Sequence, residues 1–118
     1  MKLTEVDFGA AQPIESYGPD YFRLGGEIHK APVLFAPGHA EAWGGYDDTE
    51  TLLGLAGQID VLFIGTGPTI APLPTPFRTT LESAGIGVEI MASTTACRTY
   101  NVLLSEGRRV AVALMPTT

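Results

Sequence analysis

A chain of 118 residues, 45% hydrophobic and 17% charged, is long enough to bury about two thirds of its unfolded surface around one core and too apolar for a disordered segment. Thirteen acidic residues against seven basic ones, a formal charge of −6, exclude the clustered Lys and Arg that nucleic acid requires. One domain spanning residues 1–118 is expected, with no nucleic-acid partner.

The opening Met1-Lys2-Leu3-Thr4-Glu5-Val6-Asp7 lacks a basic segment followed by an apolar run, and no stretch approaches the roughly 20 apolar residues of a membrane span. With one cysteine, Cys97, no internal disulfide can form. A cytoplasmic protein is therefore expected. Residues 1–12 read as an irregular arm holding a short strand around residues 3–8. Extended runs broken by turn residues follow at 14–17, 21–24, 27–29 and 33–35, the pattern of an antiparallel meander.

Pro37-Gly38 and Gly44-Gly45 bracket a predicted loop holding His39, Glu41 and Trp43. Asp47-Asp48-Thr49-Glu50 then supplies an N-cap and capping box for a short helix ending near residue 56. The uninterrupted apolar run Val61-Leu62-Phe63-Ile64 is that of a strand covered on both faces, and is taken as the central strand. A Pro-rich loop leads to a helix over 76–84, capped by Thr75 and closed by Gly85. A strand at 88–91 follows, then a helix from a Thr94 or Thr95 cap to residue 105 with Ala96, Tyr100, Leu103 and Leu104 near one face. Gly107 stops it, and the alternating 109–115 is the last strand. The succession predicts an α/β fold in three layers: a central mixed sheet, flanking helices and the N-terminal meander.

Several residues carry chemistry. Gly65-Thr66-Gly67, at the end of the expected central strand, can expose backbone amides as an anion nest where open α/β sheets bind ligands. The turn lacks the third glycine of the dinucleotide fingerprint, position 70 being Ile70, and also reads as a plain tight turn. Arg78 can join that turn to hold a carboxylate or phosphate, or pair with Glu82 one helical turn on. Arg98, with Thr99 and Asn101, offers a second polar set. Cys97 is either a helix N-terminal thiolate or a small core residue. Glu27, His29, His39 and Glu41 are metal-ligand types at spacings that fit no standard site, so no metal is expected. Trp43 is either a lid over the core or an exposed anchor for a partner.

Asp60-Val61-Leu62-Phe63-Ile64-Gly65-Thr66-Gly67, then Arg78, Gly85-Ile86, Glu89, Ala96-Cys97-Arg98-Thr99-Tyr100-Asn101-Val102-Leu103 and Glu106-Gly107-Arg108-Arg109-Val110-Ala111, resemble the signature of the adipogenesis-associated Mth-domain family. Tyr17-Gly18 and Trp43 also fall where that family has similar residues, so the likeness covers about residues 13–115. It implies a three-layer fold with a central mixed sheet and no cofactor or established enzyme activity. Its mitochondrial members help to assemble respiratory complex I. This chain lacks an Arg- and Ser-rich transit segment and so resembles the bacterial members. A non-catalytic assembly or interaction factor is expected, with a respiratory-complex subunit as candidate partner. The alternative is a small-anion binder or enzyme using the Gly65 to Gly67 turn with Arg78 or Arg98. A homo-oligomer is compatible with the composition.

Overall fold

The computed structural model describes residues 12–118; the arm's expected strand at 3–8 lies outside them. Three strands, β1 (Ile14–Gly18), β2 (Tyr21–Leu24) and β3 (Glu27–Lys30), form a small antiparallel sheet. The next strand of the expected meander, β4 (Val33–Ala36), leaves it and enters a five-stranded mixed sheet. That sheet also contains β5 (His39–Ala42), β6 (Val61–Gly65), β7 (Gly87–Met91) and β8 (Val110–Leu114), in the order β5-β4-β8-β6-β7.

Two expectations are corrected here. The predicted loop around His39 and Glu41 is strand β5, paired antiparallel with β4 so that Phe35 faces Ala40; its small and charged residues carry no apolar run because it is an exposed edge. The middle strand is β8 rather than β6. It lies antiparallel to β4 and parallel to β6, and all five of its residues are buried, as a strand covered on both faces requires.

The strands alternate between two cores. Leu34, Leu62, Ile64, Ala111 and Ala113 point to the side covered by α1 (Thr49–Leu53) and α2 (Thr75–Ser83), where Leu52, Phe77 and Leu81 meet them. Val33, Phe35, Phe63, Val110, Val112 and Leu114 face α3 (Ser93–Ser105), which contributes Ala96, Cys97, Tyr100 and Leu104, and the small sheet, which contributes Phe22. The three layers are thus helices, mixed sheet, and helix with small sheet. Asn101 ties the last two together: its Oδ1 accepts from the Ile14 amide and its Nδ2 donates to the Ile14 carbonyl, both at 2.9 Å.

Glycine ends the helices as the sequence predicts. After α2 and α3, Gly85 and Gly107 take φ of 85° and 80°, a region open to a residue without Cβ. At the start of α1 the cap is Asp48, from the expected run Asp47-Asp48-Thr49-Glu50. Its carboxylate accepts from the Thr51 amide (3.1 Å), the Thr51 hydroxyl (2.7 Å) and the Gly44 amide (2.9 Å).

Those bonds, the Thr51 hydroxyl foremost, hold the Asp48 carboxyl below its ordinary value of 3.8. A depressed folded value means that its stabilisation is complete above the unfolded pKa and is lost as pH falls through the lower folded one. Asp48→Ala should therefore lower unfolding free energy by about 1 kcal/mol at neutral pH, a cap-sized effect moderated by solvent access. In urea melts repeated well below the carboxylate range, wild type and variant should converge. A gap that persists in acid would show that the ionised carboxylate is not the cause.

Candidate functional site at the ends of the parallel strands

Because β6 is parallel to and in register with both β7 and β8, Gly65, Met91 and Leu114 end at one level. Open α/β sheets commonly bind ligands at such ends. Here the backbone groups of the glycine turn are used inside the chain. The Thr66 amide donates to the Met91 carbonyl (2.8 Å), and the Gly67 amide to Ser93 Oγ (3.0 Å). The Ser93 hydroxyl donates in turn to the Met115 carbonyl (2.8 Å), while the Ser93 amide donates to the Gly67 carbonyl (2.8 Å) and the Met115 amide to the Gly65 carbonyl (2.9 Å).

Ser93 thus stitches the segments following β6, β7 and β8, and it is the buried polar side chain among the described residues. Sequence reasoning passed over it in favour of Thr94 and Thr95 as caps. Its signal was position: a small hydroxyl immediately after a strand, opposite a Gly-x-Gly turn.

Gly65 is glycine because of space. A Cβ there would lie 2.8 Å from both Cα and Oγ of Ser93 and 2.7 Å from Leu114 Cδ2. The Thr66 hydroxyl folds the following loop beneath itself, donating to the Thr69 carbonyl (2.8 Å) and accepting from the Ala71 amide (3.0 Å).

The arginines do not converge on this turn. Arg78 Nε pairs with Glu82 at 3.0 Å, and its Nη2 donates to the Val88 carbonyl at 3.3 Å. Val88 lies beside Leu62, three residues upstream of Gly65, or about 10 Å along the strand. Arg98 is exposed on α3, beyond the buried Ala96 and Cys97, and its charge acts on the thiol of Cys97.

Burial pushes that thiol up to about 12 against the opposing pull of Arg98, so Cys97, 3% exposed, stays protonated at neutral pH. It is a core residue rather than a helix-terminal thiolate.

Trp43 is corrected in the same way. At 2% exposure it is a lid and not an exposed anchor. Its indole N–H donates to the Asp48 carbonyl at 3.0 Å, and its ring lies 5.9 Å from that of Tyr46 and 6.1 Å from that of Phe77. Tyr46 and Phe77 are themselves 5.2 Å apart.

A concavity of about 340 Å³ opens at the opposite ends of these strands, between the β2–β3 and β4–β5 turns. Glu27, His29, His39 and Tyr100 line it, so the structure does gather the metal-ligand types that the sequence scattered. His39 Nε2 is taken by Glu41 Oε1 at 3.2 Å, and His29 rests edge-on against Phe35 at 5.4 Å. Among the described residues no three His, Cys, Asp or Glu side chains are placed to share an ion. Burial raises the phenol of Tyr100 to about 12, which keeps it a neutral hydrogen-bonding group.

NADH dehydrogenase (ubiquinone) 1 alpha subcomplex assembly factor 3 of Danio rerio is 32% identical over 98% of this chain and 71% of that protein. The crystal structure of an outer membrane protein from Bartonella henselae, 33% identical, superposes with a TM-score of 0.81 over 89% of this chain and 94% of that one. The solution structure of a Bordetella pertussis protein described as a Mth938-like domain, 29% identical, superposes with a TM-score of 0.75 over 92% and 87%. Among the described residues, no helix is long and apolar enough to cross a membrane. The family model described as protein of unknown function (DUF498/DUF598) matches residues 14–115, from the first residue of β1 to one beyond β8, and the chain belongs to that family.

Proposed function

We propose that this chain is a non-catalytic assembly or protein-interaction factor, cytoplasmic in location, whose partner is a subunit of the respiratory NADH dehydrogenase. The observation that carries the reading is the commitment of the glycine-turn amides to Ser93 and Met91. The position where this type of sheet would offer donors to a ligand is spent on holding three segments together, which makes that end a rigid surface. A relative named as an assembly factor of NADH dehydrogenase aligns over 98% of the chain, and this supports the choice of partner.

The test is affinity purification of the tagged chain from its native cells under mild conditions, with mass spectrometry of retained proteins and small molecules. Blue-native gels of a deletion strain and fractionation of the wild type complete it. Recovery of dehydrogenase subunits from the cytoplasmic fraction, with less assembled complex in the deletion strain, is the expected result. Normal complex levels together with a stoichiometric small anion and no protein partner would sink the reading and favour the anion-binding alternative.

A further inference from the structure

Among the described residues, the segments that continue from the parallel strands carry no charged side chain. Residues 66–77, 92–97 and 115–118 contain no Asp, Glu, Lys, Arg or His, in a chain with thirteen acids and seven bases. Ile70 stands on this end at 61% exposure, above the other exposed large apolar side chains among the described residues, Val102 (55%), Ile28 (50%) and Tyr17 (44%).

Its loop is set before any partner arrives. The two Thr66 hydroxyl bonds brace it from within, and Pro68, Pro72 and Pro74 each hold φ near one value. A side chain presented this way loses little further freedom on binding, which favours its use as an anchor. Single exposed apolar residues are ordinary. An exposed isoleucine on a braced, uncharged loop is a different case.

The border of this end narrows the occupant. Phe77, which follows the loop, packs on Tyr46 and Trp43, and so brings up the segment that carries the exposed Asp47 and Glu50. On the other margin, where the Thr117 amide donates to the Pro19 carbonyl at 3.0 Å, Lys30 pairs with Asp20 at 3.9 Å. Among the described residues, Asp47 and Glu50 are exposed here without an ion-pair partner, and the exposed cation that follows the uncharged stretch 92–97, Arg98, lies farther along α3. An anionic lipid surface is repelled by such a rim, since membrane-surface segments rely on Lys and Arg. A second copy would bring the same carboxylates.

We infer that this end is a docking surface for a protein partner that receives Ile70 in an apolar pocket and faces Asp47 and Glu50 with Lys or Arg. The inference rests on the interaction reading above and specifies its surface and the chemistry of its partner.

The test places a photo-cross-linking benzoylphenylalanine at position 70 of the full chain in its native cells, with positions 28 and 102 as controls. The protein captured is then purified and its Kd measured for wild type, Ile70→Asp, Val102→Asp and the double charge reversal Asp47→Lys/Glu50→Lys. Circular dichroism melts check that each variant is folded. Cross-linking from position 70 alone is expected. Kd should weaken at least about tenfold for Ile70→Asp and for the charge reversal, change less than about twofold for Val102→Asp, and rise with salt.

Cross-linking to a second copy, equal capture from the control positions, or a Kd indifferent to Ile70→Asp in the folded variant would each overturn the inference. So would Ile70-dependent sedimentation with vesicles of phosphatidylethanolamine and phosphatidylglycerol in place of protein binding. Dehydrogenase subunits that bind Ile70→Asp as tightly as wild type would remove this surface and leave the assembly reading standing. An Ile70-dependent basic partner outside the dehydrogenase would do the reverse.

Discussion

Trp43→Ala should lower the unfolding free energy by about 3–5 kcal/mol, the range for deleting a buried large aromatic side chain. The indole is 2% exposed and completes a three-ring cluster with Tyr46 and Phe77, so its removal opens a cavity between α1, α2 and the sheet. The Asp48 carbonyl also loses the indole N–H that reaches it at 3.0 Å, and an acceptor left unpaired away from water adds its own cost. Against a total stability of about 5–15 kcal/mol for a domain of this kind, much of the folded margin disappears. The Tm should drop by more than about 10 °C. Trp43→Phe keeps most of the ring area and should lose much less. A Trp43→Ala chain that melts like wild type but no longer recruits a partner would show that the indole is an external anchor and that the packing described here is wrong.

Gly65→Ala should be nearly as damaging for the opposite reason. Forcing one methyl group into a filled core typically costs about 1–3 kcal/mol, and two features push this site to the upper end. A Cβ would meet Ser93 Cα, a backbone atom, at 2.8 Å, and Leu114 Cδ2 at 2.7 Å. Ser93 cannot retreat without releasing the Gly67 amide and the Met115 carbonyl. Added volume therefore becomes lost hydrogen bonds in a buried place, where an unsatisfied group is most expensive. The contrast is Gly67→Ala, where the nearest atom to a Cβ is the Pro116 carbonyl oxygen at an ordinary 3.5 Å and the penalty comes instead from a φ of 109°. Urea unfolding of the two variants separates the mechanisms. An unchanged midpoint for Gly65→Ala would mean that β6 and α3 are not in this close contact.

The same residues show where reading the chain succeeds and where it stops. The apolar run 61–64 reads as a strand covered on both faces, because only such a strand needs no polar side, and Leu62, Phe63 and Ile64 are buried on alternate faces. Gly85 and Gly107 mark helix ends by a local requirement for positive φ. Strand β5 was illegible: His39 to Ala42 has no apolar periodicity, and it is a strand because β4 offers it a partner. Asp48 also shows the limit of local reading, since its third hydrogen bond comes from Gly44, outside the capping pattern.

The candidate site divides along the same line. The glycine turn is visible as a motif, but whether its amides are open to a ligand depends on Ser93, 26 residues away along the chain. The fate of Trp43 depended on Phe77, and that of Cys97 on the sheet packed beneath α3. By itself, the sequence determined the α/β class, the helix stops at Gly85 and Gly107, the buried strand at 61–64 and the net acidic charge. These follow from local backbone preference, hydrophobic periodicity and summed charge. Tertiary structure alone decided the strand order β5-β4-β8-β6-β7, the entry of β4 into the larger sheet, the burial of Trp43 and Cys97, and the uncharged end that presents Ile70. Each of these is a contact between segments far apart in the chain, where packing space and hydrogen-bond partners are set by the whole fold rather than by neighbours in sequence.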